Sequence, residues 1–125
     1  MSRRLNRVEE ACKEVLSEVI QREVKDPRVG FVTITSVKLS SDLRHAKVYI
    51  SVLGTDTEVT ESLAGLASAR GYMRSELGRH LRLKFLPEIE IVNDSFSEEA
   101  LRLSSLMREV ARELEEEGHG EDGGS

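Results

Sequence analysis

Residues 31–53 read FVTITSVKLSSDLRHAKVYISVL, and the parity of their apolar positions decides the fold. The second half alternates without a break: Ala46, Val48, Ile50 and Val52 share one face, and His45, Lys47, Tyr49 and Ser51 share the other. This is a half-buried strand. The first half is β-branched and equally strand-like, but Val32 and Ile34 have the opposite parity to Val37 and Leu39. The phase slips near Ser36, and a β-bulge there keeps all four inside. SSDLR supplies the turn, so the pair is an antiparallel hairpin.

Working outward, the N-terminal side is a helix. Leu5, Val8, Cys12, Val15 and Val19 fall at spacings of 3 and 4, widened by Leu16 and Ile20, and Pro27 stops the element. On the C-terminal side, Thr55 and Glu58 have capping-box spacing, followed by Val59, Leu63 and Leu66. The pattern resumes beyond Gly71 as Met73, Leu77 and Leu81, so two helical segments meet near Ala69-Arg70-Gly71. LPEIEIVND is a short strand with Ile89 and Ile91 on one face. A last helix has Leu103, Leu106, Met107, Val110 and Leu114 on its expected inner face. The order α-β-β-α-α-β-α makes an α+β domain, a three-stranded sheet packed against helices. The third strand joins the first two, at a position that parity does not fix.

The chain has 125 residues and a net charge of −5, the length of one domain. The acidity is local. Residues 109–125 hold seven acids and one base, leaving 17 basic and 16 acidic residues before them. Residues 1–112 are expected to form the folded domain, and 113–125 an acidic, glycine-rich tail without fixed structure. No apolar run approaches the roughly 20 residues of a membrane span, and the basic start lacks an apolar signal core. A cytoplasmic monomer is expected. The single cysteine, Cys12, excludes a disulfide framework or multi-cysteine zinc site and reads as a small buried helix residue.

No phosphate loop, dinucleotide fingerprint, nucleophile elbow or zinc-protease motif is present. His45, His80 and His119 are scattered, and the paired carboxylates are sequence neighbours that point apart on helices. An enzyme is not expected, nor a cofactor or metal.

The notable charge lies in SARGYMRSELGRHLRLKF, residues 68–85. Arg70, Arg74, Arg79, Arg82 and Lys84 face a single acid, Glu76. Such a patch is ordinarily a solvated face, but three features favour a polyanion. The charge is one-sided, Gly71 lets backbone approach a ligand, and a helix starting there offers free N–H groups to phosphate. Arg3, Arg4 and Arg7 crowd the N-terminus of the first helix, the wrong end for its dipole, and Lys47 lies on the polar strand face. Arg74 and Arg82 are expected to be exposed. Gly78 reads as nothing more than a helix C-terminal signal. With no tryptophan and only Tyr49 and Tyr72 placed for exposure, stacking on splayed bases is disfavoured; the backbone and shape of folded RNA are the better targets. An arginine-ringed bend is the candidate docking surface.

DPRVGFVTITSVKLSSDLRHAKVYISVLG and ARGYMRSELGRHLRLKFLPEIEIVND resemble the central hairpin and following segment of the bacterial ribosome-binding factor A family. The resemblance runs from residue 3 to about 110. It implies a type II KH-like fold, α-β-β-α(kinked)-β-α. KH domains carry a GxxG loop that clamps a nucleotide backbone; this family has an Ala-x-Gly kink there, which here is Ala69-Arg70-Gly71. Only Ala69 and Gly71 carry over as motif positions; the basic residues rest on the charge argument. The resemblance further implies a non-enzymatic assembly factor that binds the free 30S subunit and its 16S rRNA, assists maturation of the 5′ end, and supports growth in the cold. Other assembly factors and ribosomal proteins are further candidate partners, the latter for the acidic tail, whose plainer role is solubility. The rival reading is a protein-interaction adaptor that uses the scaffold without RNA.

Overall fold

A computed structural model describes residues 3–94 and 98–123. They fall into two compact units, 1–95 and 96–125.

In the first unit, α1 (Arg3–Glu18) runs into a single π-helical turn, Val19–Glu23, closed by the Val24 N–H donating to Val19 O at 2.9 Å. β1 (Phe31–Leu39) pairs antiparallel with β2 (His45–Leu53), Phe31 opposite Leu53 and Leu39 opposite Ala46. The register shifts between Ile34 and Ser36, so Thr35 is the extra residue of the anticipated bulge. Val32, Ile34, Val37 and Leu39 are accordingly all buried. Thr35 is buried too. Its hydroxyl donates to Tyr49 O at 3.1 Å and lies 3.2 Å from Asp94 Oδ2, which satisfies the polar group the bulge turns inward.

β3 (Glu88–Asn93) lies beside β2, parallel to it, with His45 opposite Glu88 and Ile50 opposite Asn93. The sheet order is β1-β2-β3. A parallel neighbour requires a crossover, which α2 (Asp56–Ser68) and α3 (Arg70–His80) supply. Both arms of the Thr55–Glu58 capping box form, at 3.2 and 3.0 Å. α1 packs on β1, α2 on β2 and β3, and α3 on β3 and α1. Cys12, Leu16, Leu66, Met73 and Leu77 close over the strand residues with no exposure. Each of the larger ones contributes about 1.5–3 kcal/mol. The Glu9 carboxyl, also buried, accepts from the Leu39 N–H at 2.8 Å and fixes α1 against the end of β1.

The second unit is α4 (Glu98–Gly123). Its helix runs through the acidic segment where the sequence places a loose tail. Glutamate is a strong helix former, a preference that opposes its unfavourable position near a helix C-terminus. Leu106, Val110 and Leu114, expected on an inner face, are exposed, and Met107 is partly buried. Phe96 lies outside the described residues, as does the side chain of Leu103.

Candidate nucleic-acid interface

The bend is local. Ala69 takes φ −89° and ψ 0°, the bridge region. Its N–H is shared between Gly65 O (3.2 Å) and Leu66 O (3.0 Å), and its carbonyl accepts from Met73 N. The ladder therefore tightens and restarts rather than opening. Three glycines lie along this pair of helices, with different reasons. A Cβ on Gly65 would sit 2.6 Å from Val29 Cγ2, and one on Gly78 2.6 Å from Leu86 Cδ2. Gly65 and Gly78 are thus packing residues, and Gly78, inside α3, is no mere end signal. Gly71 differs: it is exposed, and a Cβ there would meet nothing within 4 Å. The fold has no use for glycine at this position.

The expectation of a bend ringed by arginines is corrected. Tyr72 Oη donates to Glu23 at 2.8 Å, which pushes the phenol pKa up to about 12. Arg28 bridges Asp26 (2.6 Å) and Ser68 Oγ (3.2 Å). These contacts put the bend beside the C-terminal end of α1, whereas Glu9 meets the hairpin-turn end of β1. The helical distance from Glu9 to Glu23 is roughly 20 Å. Of the named bases only Arg70, whose Nε donates to Ala67 O at 3.2 Å, stands at the bend. Arg3, Arg4 and Arg7 precede Glu9 on α1 and lie toward the hairpin-turn end, exposed.

The others follow α3 away from the bend. Arg74, expected to be exposed, is half-buried. Its Nε and Nη2 donate to Leu86 O (3.3 and 2.9 Å), with Nη1 3.7 Å from Glu88, so it also ties α3 to the segment before β3. Arg79 (3.3 Å) and His80 (3.2 Å) both contact the buried carboxyl of Glu76. Arg82 and Lys84 are exposed, as expected for Arg82. Lys47 is exposed in β2, between Lys38 of β1 and Glu90 of β3.

A cation that the charge reading did not name, Arg44, completes a cluster with Lys84 and Arg74. Arg44 stacks on Phe85, its guanidinium carbon 4.2 Å from the ring centroid, and Lys84 Nζ lies 5.5 Å from the same centroid. These two residues, with His45, Arg74, Leu86 and Glu88, line an open groove of about 590 Å³, the size range of small-ligand clefts. The hairpin turn aims Arg44. Asp42 accepts from Ser40 Oγ (2.6 Å) and the Arg44 N–H (3.0 Å), contacts that hold its pKa below the ordinary value. Leu43 takes a positive φ of 62°, and the Arg44 carbonyl accepts from Glu88 N at 2.8 Å. The only sequence signal for this was Asp42-Leu43-Arg44 in the turn; its partner Phe85 lies too far along the chain to be read from spacing.

Among the described residues no group of His, Cys, Asp and Glu could hold a metal ion, and no helix is long and apolar enough to cross a membrane. Cys12 is buried and its thiol is pushed up to about 11, chiefly by burial and then by Glu9. It is no thiolate nucleophile near neutral pH.

The family model for ribosome-binding factor A matches residues 4–107. The chain belongs to the ribosome-binding factor A family. It is 47% identical over 107 residues to ribosome-binding factor A of Natranaerobius thermophilus, covering 86% of this chain and 82% of that one. It is 44% identical over 114 residues to that of Brevibacillus brevis, covering 91% and 94%. Among solved structures, a Thermotoga maritima protein described as a putative ribosome-binding factor A superposes with a TM-score of 0.68 at 37% identity, covering 78% of this chain and 93% of that one. The crystal structure of ribosome-binding factor A from Thermus thermophilus gives 0.64 at 28%, covering 71% and 94%. A homology model of the Thermus thermophilus factor, fitted into a cryo-EM map of a 30S complex, gives 0.61 at 29%, covering 72% and 94%. The α+β, KH-like architecture of ribosome-binding factor A is therefore the architecture of this chain.

Proposed function

We propose that this chain binds the free 30S ribosomal subunit by phosphate and shape recognition of folded 16S rRNA, and assists maturation of the 5′ end of that RNA. As a member of the ribosome-binding factor A family it is a ribosome maturation factor and not an enzyme. The observation that carries the reading is the family match over residues 4–107, which spans α1 to β3 and the first part of α4. The 30S complex of the Thermus thermophilus relative supports the same partner.

The chain works as a cytoplasmic monomer. Gly71 is a point of close backbone approach to RNA, and the exposed bases Arg70, Arg82, Lys84, Arg3, Arg4, Arg7 and Lys47 neutralise phosphates. Arg79 does so beside its Glu76 partner, and Arg74 with whatever donors Leu86 leaves it. Binding favours one arrangement of the immature RNA only through differential affinity for it. The reading is tested by cosedimentation of the purified chain with 30S and 50S subunits across a salt series. Saturable 30S binding that weakens steeply with salt is expected. Equal binding to both subunits, or 30S binding indifferent to salt and to charge reversal between residues 70 and 84, overturns it in favour of a protein adaptor.

A further inference from the structure

We propose that the groove floored by Phe85 is the principal phosphate-binding surface of this chain, and that Phe85 is a positioning residue that holds Arg44 ready for the RNA backbone. The inference rests on the reading that the chain binds ribosomal RNA, and it adds where the greater part of the charge contact lies: at the hairpin-turn end more than at the bend.

Three observations carry it. First, the charge converges from separate parts of the chain. Arg44 comes from the hairpin, Lys84 from the segment after α3 and Arg74 from α3 itself. The acid in the lining, Glu88, already lies 3.7 Å from Arg74. Second, the arrangement is prepared before any ligand arrives. Arg44 is held from below by the Phe85 ring at 4.2 Å and from behind by the Asp42 turn and the Glu88 N–H. A stacked guanidinium keeps its planar edge of N–H donors free, and that edge matches two phosphate oxygens. An ordered arginine also loses less side-chain entropy on binding than a free one. Third, acids are interleaved with the cations at the bend end, where Glu23 and Asp26 flank Lys25. Asp26 holds Arg28, and Glu23 holds Tyr72.

The test uses isolated 30S subunits and the full chain. Arg44→Glu with Lys84→Glu is expected to lower affinity at least tenfold and to flatten the log–log salt slope by about 1.4, roughly 0.7 for each lost phosphate contact. Lys13→Glu with Arg22→Glu, the same charge change among the acids of α1 and the π-helical turn that follows it, is expected to stay within about twofold. Phe85→Leu keeps every charge, so it is expected to weaken binding several-fold with the salt slope unchanged. Thermal melting and circular dichroism confirm that each variant is folded. A photo-reactive group attached at Lys84→Cys is expected to yield a nuclease-sensitive adduct. A groove variant that binds with parental affinity and slope overturns the assignment, as does a control that weakens binding equally, or an adduct to ribosomal protein alone. If the unaltered chain fails to bind subunits, the functional reading falls first; if it binds and only the groove variants prove neutral, the groove alone falls.

Discussion

Replacing Gly71 by alanine separates stability from function at one atom. The residue sits in the first turn of α3, exposed, and its added methyl would meet nothing within 4 Å. Alanine is favoured over glycine in a helix by roughly 0.5–1 kcal/mol, because glycine loses more backbone freedom on folding. No clash offsets the gain, so the variant is expected to be more stable by about 0.5 kcal/mol or somewhat more, a rise of about 2–5 °C in Tm for a domain of this size. Urea unfolding followed by circular dichroism measures the difference. Gly65→Ala is the internal contrast. Its Cβ would lie 2.6 Å from Val29 Cγ2, with Asp26 and Arg28 atoms at 3.4 and 3.5 Å, and overpacking of that kind costs about 1–3 kcal/mol. If Gly71 is where RNA backbone comes closest, the same methyl that stabilises the free chain weakens its 30S complex, by at least about fivefold in an equilibrium binding assay. A Gly71→Ala chain less stable than its parent refutes the local geometry. One that is more stable and binds subunits with undiminished affinity refutes the assigned contact.

Other consequences are as direct. Leu77→Ala empties a site with no exposure and is expected to cost 2–5 kcal/mol in urea unfolding. Thr55→Ala removes one arm of a formed capping box and is expected to cost about 1 kcal/mol by the same measurement. Arg28 holds the Asp26 carboxyl down from 3.8 to about 2, chiefly by side-chain hydrogen bonding. Its contribution to stability is therefore complete above the ordinary value and lost as pH falls through about 2. Asp26→Asn is expected to flatten the acid limb of the stability–pH curve between pH 4 and 2, and an unchanged limb counts against the Arg28 pairing. Alkylation of Cys12 in the folded chain is expected to be slower by orders of magnitude than in urea, since the thiol is both buried and protonated.

The hairpin was legible because strand parity is a local property. Period-two alternation in 45–53 and the slip near Ser36 require only neighbours in sequence, and the bulge at Thr35 is where the slip places it. The neighbour of β3 was not legible: Ile89 and Ile91 declare a buried face but say nothing about which strand lies alongside. α4 shows the opposite failure. Its apolar spacing is as regular as that of α1, yet Leu106, Val110 and Leu114 are exposed, since periodicity reports a stripe and not what covers it. The interface was half legible for a related reason. A run of bases between residues 70 and 84 can be counted, but Arg74 turns out to be engaged with Leu86 O. Arg44 joins Lys84 only because the sheet returns the hairpin turn to the start of β3. Charge density along a chain is a one-dimensional quantity, and the surface is assembled from three separate parts of it.

The sheet order has a kinetic consequence. β1 and β2 are joined by residues 40–44, while β2 and β3 are separated by residues 54–87. Closing the longer loop costs about 1.7 kcal/mol more in chain entropy, and β3 has a strand on only one side. The hairpin with α1 is therefore the natural nucleus, and β3 docks late, after the crossover helices are in place. Damage to β3 should then hasten unfolding while leaving the refolding rate nearly untouched, so the Phe85 groove, which needs β3 seated beside Arg44, is among the last parts of the molecule to appear and the first to go.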